Sequence, residues 1–312
     1  MDKTNPVRFA LGLALLAGTL TAAQTPSTGL RSDPNAPIVV TGQRPTRAEA
    51  RERAAAFVRE LGVAQGERPV ARWADRVCPV VRGIAEPYAR IVETRMRAIA
   101  AAAGIVTAPE GCRPNISVSF VGDAAGLVQE VARRSPTRLN EVRGSDRDAL
   151  LNGAAPVRWW YITETRSRHA MRNAPQSIQT ETGGQSGGSA TASGPLEAES
   201  MSQYNSSVIS TQVNRVLLDA AVVIDFDGVS GRSLEAVAAY AAFVAFAEVR
   251  AADVAPPASI LGMFGANAGP VDAMTDWDMA FLRALYRLPL DRQARRHRGI
   301  LVREMVDFQT GS

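Results

Sequence analysis

Two hydrophobic periodicities alternate along the chain. Apolar residues recur every three to four positions in some segments, which predicts amphipathic helices, and at about every second position in others, which predicts strands. The predicted helices are Thr46–Leu61, Pro87–Ala103, Asp123–Arg133, Ser145–Leu151, Thr275–Tyr286 and Asp291–Met305. The predicted strands are Arg72–Val77, Asn115–Val121, Val157–Thr163, Ser207–Val213 and Leu217–Asp225, with the last two interpreted as a hairpin. This order predicts an α+β fold in which a mixed sheet is backed by helices and further helices follow at the C-terminal end.

A strand, a glycine-containing turn and a helix follow one another from Val216 to Arg250. The strand is rich in apolar, β-branched residues, and the turn contains Gly228 and Gly231. The helix, 233–250, is apolar on nearly every side, and a helix of that kind is buried in the core of a protein. We therefore predict a central buried helix around which the other elements pack.

The first residues have the pattern of an export signal. Lys3 and Arg8 precede an apolar run, Phe9–Leu20, which ends at Thr21-Ala22-Ala23. A charged start, a short apolar segment and small residues are the features of a secretory signal peptide. A membrane anchor, the alternative, needs about 20 apolar residues, and this run is shorter. We predict a signal peptide over 1–23 with cleavage after Ala23, a periplasmic or secreted protein that is not integral to the membrane after signal removal, and envelope components as partners.

Two polar segments lie outside the predicted elements. Residues 24–45 begin with a stretch rich in Pro, Ser and Gly, which predicts a disordered or extended N-terminal segment. Residues 174–203 contain Gly183-Gly184 and Gly187-Gly188 among several Ser and Thr, a composition typical of flexible chain. We interpret them as a flexible insertion in a single α+β domain, 46–308, with a functional loop as the alternative.

The two cysteines of the chain are Cys78 and Cys112. In an exported protein an even pair predicts a disulfide. It would close a loop of about 34 residues and contribute about 3–4 kcal/mol to stability. Two separate buried thiols are the alternative. Two cysteines without nearby histidines make a poor zinc site, and we predict no metal and no cofactor.

The charge of the chain argues against nucleic-acid binding. The formal net charge is +4, from 35 basic and 31 acidic residues. The basic residues form no stripe with interleaved aromatic side chains, which is the pattern of nucleic-acid-binding domains. We therefore predict no nucleic-acid partner.

The aromatic run Trp159-Trp160-Tyr161 is the predicted binding surface. It lies on a predicted strand, before the flexible segment 174–203. The alternative interpretation is that alternate members of the run belong to the core, because successive side chains of a strand point to opposite faces.

The segment Val222–Val229, with sequence VVIDFDGV, resembles the first motif of haloacid-dehalogenase-like phosphatases. The resemblance implies Asp225 as nucleophile and Asp227 as general acid, close to Mg²⁺. That chemistry also uses a lysine to hold the phosphate, and the only lysine here is Lys3. Two solvated acids in an ordinary turn are the alternative.

Ser230 lies on a strand–turn–helix and superficially resembles a nucleophile elbow. The elbow pattern G-x-S-x-G requires glycine at position 232, where this chain has Arg232. Ser230 and His297 follow the chain order of an α/β-hydrolase, with Asp276 or Asp278 between them. Ser230 near a helix cap is the alternative.

A zinc metallopeptidase would carry H-E-x-x-H on the helix after the sheet. Helix 233–250 contains no histidine, and the only histidines of the chain are His169 and His297. The sequence therefore offers no set of zinc ligands.

The second half of the chain nevertheless resembles a known type of domain. Its most specific part is T-x-x-D-x-x-F-L-x-A-L-Y over Thr275–Tyr286, after helix 233–250 and Ser259-Ile260-Leu261. These segments look like a domain family of unknown function in exported proteins and lipoproteins of proteobacteria. That family is distantly similar to metzincin-type peptidases, in which a sheet precedes the zinc helix. The resemblance implies a zincin-like scaffold without the zinc-binding motif.

These patterns lead to one main hypothesis and one alternative. The main hypothesis is an exported, non-catalytic binding or envelope-associated protein on a degenerate metallopeptidase-like scaffold. The alternative is a hydrolase that uses either Ser230 with His297 or the Asp225/Asp227 pair.

Overall fold

The long strand that ends at Asp225 is the centre of the sheet. A computed structural model of the chain describes residues 45–63, 68–167, 213–250, 255–265 and 271–311. The strands are β1 (Arg72–Trp73), β2 (Pro79–Arg82), β3 (Ile116–Val121), β4 (Val157–Ser167) and β5 (Val213–Asp225). The helices are α1 (Arg47–Glu60), α2 (Glu86–Ala103), α3 (Ala124–Arg134), α4 (Ser145–Asn152), α5 (Leu234–Phe246), α6 (Asp276–Arg287) and α7 (Ala294–Thr310). The described residues all belong to one compact unit, Arg44–Ser312.

The sheet is mixed, as the sequence predicts. On one edge of β5 lies β4, which runs antiparallel to it along almost its whole length. On the other edge lie β1, in register Arg72↔Val216, and further along β3, in register Ile116↔Ala220, both parallel to β5. The last strand, β2, pairs in parallel with β3. The order across the sheet is therefore β4–β5–β3–β2, with β1 beside the first half of β5.

The predicted hairpin before Asp225 is wrong. Val213 already belongs to β5, which continues without a turn to Asp225 and pairs with β4 rather than with a preceding strand. The chain stays extended because Asn214-Arg215-Val216 contains no turn-forming glycine or proline and because β4 extends to Ser167, which gives these residues partners. Residues 207–212 lie outside the described part of the chain.

The predicted strand Arg72–Val77 is also too long. Only Arg72–Trp73 pair with β5, and the chain then turns away at the exposed Asp75. Val77 forms an isolated parallel bridge with Thr107. The edge strand β2 follows immediately and was not predicted, since four residues are too few to show a period.

Helices cover both faces of the sheet. Alternate residues of β5 point to α2 and α5 on one face, and Ala221 and Val223 point to a smaller cluster with α3 and α4 on the other. Beyond α5, helices α1, α6 and α7 form a further layer. Phe281 of α6 connects this layer to α5, because its ring lies 6.0 Å from that of Phe57 in α1 and 5.9 Å from that of Phe243 in α5.

The central helix α5 is buried on every side, as its composition predicts. All residues from Ala236 to Phe246 are buried. The helix begins where Ser233 accepts a hydrogen bond from the Ala236 N–H at 3.1 Å. It ends at Phe246 rather than at residue 250, because Ala247 is extended and Glu248 pairs with Arg215 of β5.

Several predicted segments fall outside the description. The predicted signal peptide 1–23, nearly all of segment 24–45 and the predicted insertion 174–203 lie outside the described residues. Within the described ranges, no α-helix has both the length and the apolar character that crossing a membrane requires.

Candidate functional site

Strand β4 places two of the predicted binding residues against the C-terminal end of α5. The indole N–H of Trp159 donates a hydrogen bond to the carbonyl of Val249 at 3.0 Å. The hydroxyl of Tyr161 lies 2.6 Å from the carbonyl oxygen of Val244 and 2.8 Å from that of Ala247. It also accepts a hydrogen bond from the Val249 N–H at 3.2 Å. The polar atoms of both side chains are therefore occupied by backbone.

The third member of the aromatic run, Trp160, points to the opposite face of the sheet. Only 4% of its surface is exposed, and it packs in the smaller core cluster with Val128 and Leu150. Its indole N–H finds no hydrogen-bond partner among the described residues. The run thus does not form one continuous surface, and Trp159 is its only partly exposed member.

Aromatic side chains surround Tyr240 in the middle of α5. The ring of Tyr240 lies 6.2 Å from that of Trp159 and 5.1 Å from that of Phe264. Burial raises the pKa of Tyr240. Within the described ranges, no group of three or more His, Cys, Asp or Glu side chains could hold a metal ion.

The Asp225/Asp227 pair lies at the carboxyl end of β5, as the phosphatase hypothesis requires. One oxygen of Asp225 accepts a hydrogen bond from the Ala124 N–H at 3.1 Å. The other accepts from the N–H groups of Asp227 and Gly228 at 3.1 and 3.3 Å. The bond from Ala124, followed by those from the other two amides, lowers the pKa of Asp225 despite some desolvation.

This arrangement gives Asp225 a structural task. It fixes the first residue of α3 and the turn after β5, so both of its oxygens are engaged by the protein. A basic side chain close to it, that of the buried Arg158, donates to the carbonyls of Ala149, Leu150 and Gly153 at the end of α4. No described lysine is present to hold a phosphate, since Lys3 precedes the described residues.

The structure does not bring Ser230 and His297 together. Ser230 is exposed in the turn after β5. His297 is buried in α7, where its Nδ1 accepts a hydrogen bond from the Val70 N–H at 3.2 Å. Val70 leads into β1, which pairs with β5 at Val216. At about 3.3 Å per residue, β5 covers roughly 30 Å between Val216 and its carboxyl end, near Ser230.

The predicted disulfide is confirmed. The sulfur atoms of Cys78 and Cys112 are 1.97 Å apart and their Cα atoms 6.1 Å apart. The bond joins the start of β2 to the loop that follows α2. Cys78 is buried, and Cys112 is partly exposed.

A groove runs beside this disulfide, and we call it the α2–β2 groove. One wall is the outer edge of β2 and the other is one side of α2, and the disulfide also lines it. Its volume is about 590 Å³, within the range of ligand pockets. Strand β2 is the last strand of the sheet in this direction among the described residues, so this wall presents main-chain groups without a neighbouring strand.

A glutamate side chain takes the place of that neighbouring strand. The N–H of Val81 points away from β3 and donates a hydrogen bond to Oε1 of Glu93 in α2 at 3.0 Å. Pro79, two residues earlier on the same edge, has no N–H to offer. Proline and charged side chains are common means by which proteins protect a sheet edge. The outward N–H of Val81 on the edge of β2 is therefore hydrogen-bonded by a side chain that can move, rather than by the backbone of another strand.

The groove carries more acidic than basic groups. The side chain of Arg90 pairs with Glu86, and Glu110 and Glu93 also lie near it. The hydrogen bond to Glu86 is the largest cause of the raised pKa of Arg90. The second arginine of the groove, Arg97, donates to the carbonyl of Ala108 at 2.6 Å.

The sequence analysis did not find this groove because it did not predict β2. A signal was nevertheless present, since proline is often the first residue of an edge strand and Pro79 is followed by Val80-Val81. The partnership of Glu93 with Val81 depends on how α2 packs against β2. No local pattern predicts that packing.

Comparisons of the chain with protein-family models, with curated proteins and with solved structures find no match. The resemblance to an exported family and to zincin-like proteins accordingly depends on the residues of this chain alone. The geometry of the described residues is the basis for a proposed function.

Proposed function

We propose that this protein is an exported, non-catalytic binding protein whose α2–β2 groove receives an extended polypeptide segment of an envelope partner. The observation that carries the proposal is the hydrogen bond from the Val81 N–H to the Glu93 side chain. A carboxylate oxygen lies there where the carbonyl of an added strand would lie. Rotation of one side chain would open the edge of β2.

Addition of a strand to a sheet edge is a recurrent mode of peptide recognition. Main-chain hydrogen bonds supply affinity, and pockets for alternate side chains supply specificity. Here the peptide backbone would bond to Val81, and its side chains would contact Ala89 and Thr94 of α2 or the disulfide. The helical wall limits which side chains fit.

The charges of the groove favour a neutral or basic segment. Glu86, Glu93 and Glu110 outnumber Arg90 and Arg97. Like charges brought together in a binding site are unfavourable, so an acidic peptide would be disfavoured. Nucleic acid would be disfavoured for the same reason.

The rest of the fold is compatible with a scaffold that has no peptidase activity. A sheet precedes the buried helix α5, and α6, which is capped by Thr275 and ends with Tyr286-Arg287, packs beside it. If α5 corresponds to the zinc helix of a metzincin, the Tyr240 aromatic cluster would stand in place of its zinc ligands. We therefore keep the zincin-like scaffold as part of the proposal. Stoichiometric zinc in purified protein would contradict it.

Export belongs to the same proposal. A signal peptide cleaved after Ala23 would deliver the protein to the periplasm, where the Cys78–Cys112 disulfide persists. N-terminal sequencing of the protein from its own host tests the cleavage site. An N-terminus at Gln24 is expected, and retention of residues 1–23 on a soluble cytoplasmic protein would contradict export.

A peptide-display experiment tests the groove. A phage-displayed random dodecapeptide library is selected on the mature, disulfide-bonded protein, and enriched peptides are then measured against variants. Ala89→Trp fills the groove from the α2 side and should abolish binding. Ala98→Trp is the matched control, because Ala98 is an exposed alanine of the same helix that does not line the groove.

A second variant distinguishes strand addition from simple side-chain contact. Glu93→Ala frees the Val81 N–H and should strengthen the binding of enriched peptides. The proposal fails if no peptide is enriched, or if Ala89→Trp and Ala98→Trp affect the enriched peptides equally. Enriched peptides that bind more weakly to Glu93→Ala would contradict strand addition specifically.

A further inference from the structure

A separate, largely apolar cleft opens between α1, the segment 255–258 and the start of α6. Its volume is about 540 Å³. Ala56 and Phe57 of α1 form one wall, and Pro257, Ala258 and Trp277 form the other. The ring of Phe57 is buried in the core, whereas Trp277 is partly exposed. Part of the Trp277 ring therefore remains exposed in the cleft.

The backbone on one wall of this cleft is held in an unfavourable conformation. Ala258 has φ 56°, and it is the only described residue other than glycine with positive φ. The next residue is fixed, since the Ser259 hydroxyl donates to Oδ1 of Asp278 at 2.6 Å. The Ile260 N–H donates to Oδ2 of the same carboxylate at 2.8 Å. Backbone strain that the surrounding structure imposes in this way is frequent at ligand sites.

The polar part of the cleft is mainly acidic. Glu49 and Glu52 line it from α1, with Arg53 as the one basic residue among the described lining. Hydrogen bonds from the Thr46 N–H and hydroxyl lower the pKa of Glu49, which keeps its carboxylate ionised. Glu52 is exposed and forms no ion pair with any described residue. Its carboxylate is therefore accessible to a ligand at the rim of the cleft.

We propose that the Trp277 cleft binds an organic ammonium ion with an apolar body. The ammonium group would lie between the indole face of Trp277 and the carboxylate of Glu52, and the apolar body would pack on Phe57 and Pro257. Indole is the aromatic group that attracts cations most strongly. Carboxylates on the rim add charge complementarity and disfavour anions. This site is independent of the α2–β2 groove and of its proposed function.

Three small probes of similar size and different charge test the proposal. Benzyltrimethylammonium, benzyl alcohol and benzoate are titrated into the ¹⁵N-labelled mature protein. The indole N–H signal of Trp277, one of four tryptophans, is followed by NMR and assigned with Trp277→Phe. The ammonium probe should shift this signal at the lowest concentration, the alcohol should bind several-fold more weakly, and benzoate should bind least.

Matched variants separate the acidic rim from the apolar walls. Glu52→Gln should weaken the ammonium probe about threefold and leave benzyl alcohol unchanged, since only the cation uses the charge. Glu235→Gln, an exposed glutamate in the first turn of α5, is the control and should change neither. Equal binding of the three probes, an unaltered response in Glu52→Gln, or no shift of the Trp277 signal by the ammonium probe would each overturn the proposal.

Discussion

The hydroxyl oxygen of Tyr161 lies 2.6 Å from the carbonyl oxygen of Val244, across the junction between the sheet and the central helix. The last carbonyls of an α-helix have no partner within the helix. At an exposed helix end water serves them, but the end of α5 is buried. The tyrosine hydroxyl therefore takes the place of water, and the strand that carries it becomes the capping element of the helix.

Other aromatic side chains serve the neighbouring carbonyls of the same helix end. The Trp73 indole N–H donates to Ala245 at 2.8 Å, and the Tyr286 hydroxyl donates to Phe246 at 2.8 Å. They come from β1 and α6, respectively. Because tyrosine and tryptophan combine a large apolar body with one polar group, they can cap a helix inside a core. The position of α5 is thereby fixed from three directions.

Removal of one hydroxyl should therefore measurably destabilise the protein. Tyr161→Phe keeps the ring and leaves buried carbonyls without their donor, so the free energy of unfolding should fall by about 1–3 kcal/mol. Tyr88→Phe is the control, because Tyr88 is 58% exposed and its loss should change stability by no more than about 0.5 kcal/mol. Urea unfolding monitored by circular dichroism measures both. Equal stability of the two variants would mean that the Tyr161 hydroxyl does not cap α5.

The hydrophobic pattern predicted α5 but could not predict how it ends. A run of alanine, valine and phenylalanine indicates burial on every side, and the structure has it. The end at Phe246 depends on Arg215, more than 30 positions earlier, which binds Glu248 and draws the chain out of the helix. Likewise the sequence predicts Trp159 and Tyr161 as a binding surface. Their hydrogen bonds to the carbonyls at the end of α5 depend on how β4 packs against that helix, and no local pattern predicts this packing.

In the segment Thr275–Asp278, too, the local sequence predicts some contacts of a residue and does not predict others. The sequence predicts a helix that begins at Thr275, and Thr275 and Asp278 form a reciprocal capping box there. The sequence gives no sign that the same carboxylate also binds Ser259 and the Ile260 N–H. Asp278 is completely buried, and desolvation raises its pKa despite these hydrogen bonds. The T-x-x-D part of the Thr275–Tyr286 motif therefore caps α6 and attaches the loop that contains Ser259.

A second prediction concerns the ion pairs at the start of β5. Arg215 is only 8% exposed, and its guanidinium binds Glu248 at 2.6 Å and Glu141 at 2.8 Å. Arg215→Met leaves both carboxylates with Arg68 as their only basic partner among the described residues. Removing one member of a buried ion pair costs about 3–5 kcal/mol. We expect a loss near the lower limit in urea unfolding, because Arg68 remains.

The exposed pair of Arg90 with Glu86 provides the control for this variant. Its side chains are 72% and 67% exposed, and solvent screens such a surface pair so strongly that it contributes little to stability. Arg90→Met should therefore have a small effect. If Arg215→Met were no more destabilising than Arg90→Met, the buried cluster would not be a determinant of stability.

The disulfide gives a third prediction. Cys78 and Cys112 are separated by 34 residues, and opening that loop in the unfolded chain costs about 3–4 kcal/mol of stability. The double variant Cys78→Ala/Cys112→Ala should lose this amount in urea unfolding. Dithiothreitol should destabilise the natural protein to a similar extent and leave the double variant unchanged. A double variant as stable as the oxidised protein would show that the bond does not stabilise the fold.

The last prediction is a pH dependence that originates at His297. Burial lowers the pKa of this histidine below its ordinary value of 6.5, against smaller opposite effects of the Pro289 backbone and Asp291. The unfolded chain therefore takes up a proton more readily than the folded protein. The contribution of His297 to stability is complete above pH 6.5 and is lost as the pH falls below it. Protonation would also abolish the acceptor that Nδ1 offers to the Val70 N–H.

Comparison with His297→Gln isolates this effect from the other titrating groups. Glutamine retains an acceptor but does not titrate, so the variant should be less stable at pH 7.5 and should lose less stability between pH 7.5 and 5.5. His169→Gln removes the only other histidine of the chain and should follow the natural protein. Urea unfolding across this range measures all three. Parallel curves of stability against pH for the natural protein and His297→Gln would show that the buried imidazole does not control stability in this range. Converging curves are expected, because the natural protein loses a neutral acceptor on acidification and the variant does not.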